Sequence, residues 1–229
     1  TFAQASNFGG LKGFRNIDNG GYTLTVGGNN QSTAWSGALS GAGGLIKTGS
    51  GMLTVWRYSP NFTGDTRIAS GTLAITGAEF LYQSTLDMNA SDSGAITFSQ
   101  DSLIGGLKGS RDIANGGYGL RVGYNNQSTT YSGVLSGTGG LIKVGTGTLT
   151  LSGSNSFTGD TLVGGALVIG NANALAGSTL DTSFGGTVTF SQASNLGGLK
   201  SGGALDNGGY TLTIGGNNQS TTYSGVLSG

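Results

Sequence analysis

Long internal repeats are the feature that most limits what this chain can fold into. The stretch NGGYTLTVGGNNQSTAWSGALSG occurs three times with few changes, the second 96 residues after the first and the third 92 residues after the second. The three occurrences begin at Asn19, Asn115 and Asn207. The repeats divide the chain into two complete copies, residues 1–96 and 97–188, and a partial third copy, residues 189–229.

A shorter period runs inside each copy. Short segments with alternating apolar positions recur along the whole chain, such as TLTV from Thr23, MLTV from Met52 and TLAI from Thr72. Their spacing is too short for a domain and too long for a hairpin, but it suits one coil of a β-solenoid with Gly and Asn at its corners. We expect Leu24, Leu53 and Leu73 to stack inside successive coils, since alternating positions share one face of a strand.

The periods together predict an all-β fold, a parallel β-helix of about nine to ten coils that forms one continuous unit over residues 1–229. Its right hand is expected from the usual rule for parallel crossovers. A β-sandwich or barrel would bury a similar pattern. It would not explain the long sequence repeat, whereas coils related by simple translation would explain it.

Composition excludes several classes of function. The chain has 48 Gly but one Pro, so it is not collagen-like, and it has neither Cys nor His. Nucleophilic or acid–base chemistry of Cys or His and ordinary zinc sites are therefore excluded. Ten Lys and Arg balance ten Asp and Glu, which argues against nucleic acid. We expect no cofactor, no metal and no transmembrane segment.

Two stretches carry a family resemblance. They are GGLIKTGSGMLTVWRYSPNFTGDTRIASGTLAI, from Gly43 to Ile75, and GGLIKVGTGTLTLSGSNSFTGDTLVGGALVI, from Gly139 to Ile169. Both resemble the passenger-associated transport repeat of bacterial autotransporters. The first departs from the pattern at WRYSP, residues 56–60, where its turn is one residue longer. The resemblance implies a long parallel β-helix exported across the outer membrane, extracellular or on the bacterial cell surface, that acts as an adhesin, an aggregation factor or a stalk.

Repeated charged residues are the first candidates for chemistry. Asp65 and Asp160 recur in FTGDT, and paired carboxylates would suit a β-helical polysaccharide-degrading enzyme. No second repeated acid lies near them in sequence, so turn capping is the favoured explanation and we expect no enzyme. The repeated lysines could bind an acidic glycan, but solvated side chains that protect strands are favoured. These are Lys12, Lys108 and Lys200 in GGLK, with Lys47 and Lys143 in GGLIK.

Aromatic side chains and one arginine are the candidate contact residues. Trp35, Tyr131 and Tyr223 share one repeated site, where filling of the core is favoured over contact with a sugar or a partner. Trp56 and Tyr58 lie in the departing loop and are better candidates for exposed contact. Arg121 interrupts a row of outward threonines and completes the set.

The resulting hypothesis is a structural or adhesive surface segment. Its partners would be a host or bacterial surface, as protein or glycan, a second copy of the protein, or flanking repeats of a longer chain. One alternative is a repeat unit of a secreted fibre that assembles end to end through unpaired strand edges. The other is the polysaccharide-degrading enzyme, which a cluster of carboxylates on one exposed strand face would favour.

Overall fold

The computed structural model describes residues 1–229 and confirms an all-β parallel β-helix. Every strand pair is parallel, and the solenoid has about eleven turns, slightly more than the nine to ten predicted. The only helical segment is a single 3-10 turn at Thr182–Phe184. No helix in the structure has the length and apolar character needed to span a bilayer.

The strands are short, because each turn changes direction at a corner every few residues. In chain order they are Ser6–Phe8 (β1), Ile17–Asp18 (β2), Leu24–Val26 (β3), Thr33–Trp35 (β4), Leu39–Ser40 (β5), Leu45–Lys47 (β6), Met52–Val55 (β7), Thr66–Ile68 (β8), Thr72–Ile75 (β9), Thr85–Met88 (β10), Ala95–Phe98 (β11), Ser102–Ile104 (β12), Gly106–Gly109 (β13), Ile113–Ala114 (β14), Leu120–Val122 (β15), Thr129–Tyr131 (β16), Leu135–Ser136 (β17), Leu141–Lys143 (β18), Thr148–Leu151 (β19), Thr161–Val163 (β20), Ala166–Ile169 (β21), Leu175–Asp181 (β22), Thr187–Phe190 (β23), Ser194–Lys200 (β24), Leu205–Asp206 (β25), Leu212–Ile214 (β26) and Leu227–Ser228 (β27).

Stacked turns bring the alternating apolar residues into continuous inner ladders. Leu53 lies opposite Leu73, and Leu73 lies opposite Ile96 on the next turn, with all three side chains buried. The expected stack of Leu24 on Leu53 is wrong, because Leu24 lies opposite Leu45 in a different sheet. The chain between these two similar segments therefore makes more than one turn and moves from one face to another.

The long copies are related by a rotation about the helix axis as well as by a translation along it. Strands β3, β6 and β8 lie in the ten-stranded sheet, whereas their equivalents β15, β18 and β20 lie in the seven-stranded sheet. Leu24, Leu45 and Thr66 stack on successive turns and are evenly spaced along the chain. The length of the first copy is not a whole multiple of that spacing, so the second copy begins part-way through a turn.

Corners and polar ladders hold successive turns together. A Cβ atom on Gly43 or Gly139 would overlap the backbone of the turn before, so only glycine fits there. Asn19 is buried and its side-chain amide donates to the Gly43 carbonyl at 2.7 Å, a bond that Asn115 repeats to Gly139 at 2.8 Å. These bonds satisfy carbonyls that the corners would otherwise leave unpaired.

The inner ladder predicts a large difference between neighbouring positions of one strand. Leu149 is buried between Thr129 and Leu167, whereas Thr150 points outward and is half-buried. Leu149→Ala should lower the free energy of unfolding by about 2–5 kcal/mol, because it leaves a cavity in a packed interior. Thr150→Ala should lower it by less than about 1 kcal/mol. Urea unfolding followed by circular dichroism measures both, and equal losses would contradict the inward ladder.

Candidate functional site

The repeated aromatic site faces the core and not a partner. Trp35 is 2% exposed and Tyr131 is 0% exposed, so the prediction of surface contact is wrong at these two positions and core filling is correct. Trp35 Nε1 donates to the Arg15 carbonyl at 3.0 Å, and the Tyr131 hydroxyl donates to the Arg111 carbonyl at 2.9 Å. An aromatic ring with one polar tip is required here, because it fills the turn and reaches a carbonyl of the turn before.

Tyr223 repeats this arrangement in the third copy. Its hydroxyl lies 2.8 Å from the Gly203 carbonyl and 2.9 Å from the Val226 carbonyl, and its ring packs against the core while remaining partly exposed. Its hydroxyl therefore has partners equivalent to those of Tyr131. Contact of Tyr223 with a partner stays a prediction.

The lysines of GGLIK are also internal, which corrects the expectation that they are solvated. Lys47 and Lys143 are each 1% exposed. Lys47 Nζ donates to the carbonyls of Thr48 at 2.5 Å, Gly49 at 3.0 Å and Ser70 at 3.3 Å, so it joins its own turn to the next. Burial lowers the pKa of both ammonium groups. Both ammonium groups bind corner carbonyls and are buried, so a ligand at the surface cannot reach them.

The lysines of GGLK form salt bridges with the repeated aspartates. Lys108 Nζ lies 2.5 Å from Asp65 and 3.8 Å from Asp87, and the second repeat builds the same cluster. There Lys200 lies 2.5 Å from Asp160 and 3.6 Å from Asp181. The sequence showed no second acid near Asp65, since Asp87 belongs to the next turn of the helix.

Burial, hydrogen bonds and neighbouring charges shift the pKa values of several side chains in these clusters. The hydrogen bond from Lys200 to Asp160 raises the pKa of that lysine. Burial raises the pKa of Asp87 despite the nearby Lys108. For Asp181 burial acts in the same direction, but hydrogen bonds from Ser201 and Ser183 and the charge of Lys200 outweigh it and lower the pKa. Each cluster is a partly exposed ion-pair network between turns, an arrangement that adds little stability and is weakened by salt.

Aromatic side chains that are exposed or half-buried lie close together on the surface of the solenoid. Trp56 is 43% exposed and Tyr58 is 44% exposed, as expected for the departing loop. The Tyr58 ring lies 5.6 Å from that of Tyr82, edge to face at 77°. The Tyr82 ring lies 4.6 Å from that of Tyr124 at a tilt of 35°. These four residues, Trp56, Tyr58, Tyr82 and Tyr124, are called the aromatic cluster below.

Corner loops position the cluster. Trp56 and Tyr58 follow β7, Tyr82 lies between β9 and β10, and Tyr124 follows β15. A cavity of about 560 Å³ opens beside Trp56 and Tyr58. Its other lining residues are Asn16, Ala38, Arg57, Pro60, Ala78 and Glu79.

The cluster occupies positions at which the chain departs from its own repeat. The second copy has Ser152, Ser154 and Ala176 where the first has Trp56, Tyr58 and Tyr82. Tyr124 aligns with Gly28 in the first copy and Gly216 in the third. Our sequence reasoning missed Tyr82 and Tyr124, although comparison of the copies marks both as departures. The fold demands no aromatic ring at these sites, because aligned turns are built without one.

The polar atoms of the cluster have no partner within the chain. No side-chain hydrogen bond involves Trp56 Nε1 or the hydroxyl of any of the three tyrosines. The buried Trp35 and Tyr131 differ, because each donates a hydrogen bond to a backbone carbonyl. The side chains of Arg57 and Glu79 form no ion pair, unlike the clusters around Lys108 and Lys200. The corner therefore presents aromatic faces together with unused donors and acceptors.

Arg121 lies on a separate outward ladder. It is exposed, opposite Leu103 on one side and Ile142 on the other, both of them partly exposed. The aligned positions in the other copies are Thr25 and Thr213. Arg121 remains a candidate contact residue, and no structural partner accounts for its guanidinium.

The buried hydroxyl of Tyr131 predicts a pH-dependent stability. Burial, with the nearby Asp112, raises the pKa of Tyr131. Tyr131→Phe should lower the free energy of unfolding by about 1–2 kcal/mol at pH 8, because the Arg111 carbonyl loses its donor. The unfolded tyrosine ionises near pH 10, so the advantage of the wild-type chain is complete below that pH and declines above it. Urea unfolding at pH 8 and pH 11 measures this, and a constant difference would contradict it.

Comparisons with known proteins agree with this architecture. The passenger-associated-transport-repeat family matches residues 45–75 and 141–169, which run from β6 to β9 and from β18 to β21. The chain is 34% identical over 242 aligned residues to the adhesin BmaC autotransporter of Brucella suis biovar 1 (strain 1330). That alignment covers 96% of this chain but 7% of the relative. No solved structure matches the chain. The predicted resemblance is confirmed: the chain is a parallel β-helix with two passenger-associated-transport repeats, similar to a short part of an autotransporter adhesin.

Proposed function

We propose that the chain is a surface-displayed passenger segment that serves as a rigid stalk and makes adhesive contacts through the aromatic cluster. The passenger repeats support export across the outer membrane, and the named relative, an adhesin, supports an adhesive role. The partner would be a protein or a glycan on a host or bacterial surface. The other possible partners are a second copy of the protein and flanking repeats of the same chain.

The different locations of repeated and unrepeated side chains support this function. Repeated polar side chains such as Asn19, Lys47 and Tyr131 are buried and bond to backbone atoms of neighbouring turns. They stiffen the helix and offer nothing to a partner. Adhesion must then depend on outward side chains that the scaffold does not use.

The aromatic cluster is the observation that carries the proposal. Tyr and Trp are among the side chains that most often dominate binding energy at interfaces, and function tends to collect on irregular loops. Here three tyrosine rings from loops contact one another in series, and Trp56 lines a cavity together with Tyr58. The polar atoms of all four side chains have no partner in the chain. Aligned turns fold without them, so packing does not account for their presence.

The enzyme alternative has weaker support. The structure brings Asp65 and Asp87 to one face, but Lys108 lies between them and pairs with both. A catalytic pair of carboxylates needs one group free to carry a proton and the other free to attack or activate water. The similar relative is named an adhesin. End-to-end assembly into a fibre stays a prediction, with no specific contact to favour it.

The test replaces the cluster with the residues that aligned turns of the same chain contain. The quadruple variant Trp56→Ser, Tyr58→Ser, Tyr82→Ala, Tyr124→Gly should fold, because those turns fold with these residues. Its adhesion to cells when coated on beads should fall at least tenfold, the loss expected for about 1.4 kcal/mol of binding energy. Bead counts on epithelial monolayers and on bacterial lawns measure adhesion.

The control for this test is Phe184→Ser. Phe184 is 51% exposed in the 3-10 turn of the second copy and lies outside the cluster, so its loss removes a comparable exposed ring. Adhesion of this control should match the wild-type chain. Wild-type adhesion of the quadruple variant, with an unchanged circular dichroism spectrum, would refute the role of the cluster.

A further inference from the structure

We infer that the aromatic cluster is a binding site for a neutral oligosaccharide, an inference that rests on the proposed adhesive function and names its ligand class. The size of the cluster limits what it can hold. A fully buried aromatic side chain covers about 150–250 Å². With Trp56 and Tyr58 under half exposed and Tyr82 and Tyr124 more buried, the four rings offer less than about 450 Å².

That area favours a small ligand over a protein. Stable protein–protein interfaces bury about 800 Å² on each partner, nearly twice what the cluster offers. The neighbouring cavity of about 560 Å³ lies within the usual range for small-molecule sites, about 300–1,000 Å³. The cluster and the cavity are contiguous at Trp56 and Tyr58 and run along several turns, so they suit an extended chain of small units.

The chemistry of the lining matches a sugar chain. A pyranose ring has apolar C–H faces and a rim of hydroxyls, so it needs aromatic faces flanked by donors and acceptors. Tyr and Trp supply both, since each has an apolar body and a polar tip. Trp56 Nε1 and the three tyrosine hydroxyls are free, and the Asn16 amide, Arg57 and Glu79 lie at the cavity wall. These groups can bond to hydroxyls without any rearrangement of the turns.

Charge decides which sugars fit. Arg57 and Glu79 both line the cavity, so their charges balance there. With one positive and one negative side chain, the lining has no net charge that would attract an acidic or a basic ligand. A neutral chain needs no such attraction, because the Arg57 guanidinium can donate paired hydrogen bonds to adjacent hydroxyls and the Glu79 carboxylate can accept them.

The experiment titrates the purified 229-residue chain with tetrasaccharides. Cellotetraose, maltotetraose and chitotetraose are the neutral probes, and tetragalacturonic acid is the acidic one. Calorimetry gives affinity, and tryptophan fluorescence gives location, because the chain has two tryptophans and Trp35 is buried. We expect at least one neutral probe to bind with one site and a Kd between about 10 µM and 1 mM.

The variants locate the site. Trp56→Ser and Arg57→Gly, which introduce the residues of the aligned second-copy turn, should each weaken binding of the neutral probe at least tenfold. Phe184→Ser should leave it unchanged. Binding to none of the neutral probes at millimolar concentration, tighter binding of the acidic probe, or binding that survives both substitutions would each overturn the inference.

The cell assay separates this inference from the proposed function. If the quadruple variant loses adhesion while no neutral probe binds, the cluster is adhesive but its ligand is not a neutral sugar. If the variant keeps wild-type adhesion while a neutral probe binds at Trp56, the sugar site stands and the adhesive role fails. Inhibition of bead adhesion by the bound tetrasaccharide would support both.

Discussion

Parallel, in-register pairing between successive turns governs both the core and the corners of this solenoid. Each turn completes the hydrogen bonds of the turn before it, so its inward side chains lie directly over the inward side chains of that turn. Carbonyl groups at the corners must also find a donor. The buried asparagines, lysines and polar-tipped aromatics meet that demand, which explains why they recur so faithfully in the sequence.

The mismatch between repeat and turn length has a structural consequence. Because the first copy ends part-way through a turn, the next copy presents its equivalent strands on a different face. The ten-stranded sheet accordingly joins first-copy strands such as β6 to second-copy strands such as β19. Equivalent sequence elements are therefore spread around the helix axis and do not line up on one surface.

Function is therefore expected where the copies differ. The aromatic cluster is built from three turns, and its outer members, Tyr58 and Tyr124, come from different copies of the long repeat. Each ring stands at a position where an aligned turn has Ser, Ala or Gly. A scaffold that tolerates small residues at its corners can carry aromatic ones there at little cost to its stability, because the rings stay outside the core.

The all-β parallel solenoid, its repeats, the inward apolar positions and the exposure of Trp56 and Tyr58 can all be predicted from the amino-acid sequence. Periodicity and turn residues carry that information, since strand alternation and corner geometry are local properties. Which segments lie next to each other in successive turns became clear from the three-dimensional fold. Leu24 stacks on Leu45 and not on Leu53, Lys47 is internal, and Tyr82 meets Tyr124. These outcomes depend on the number of residues in each turn, which sets the register between distant segments and is not visible in any one segment.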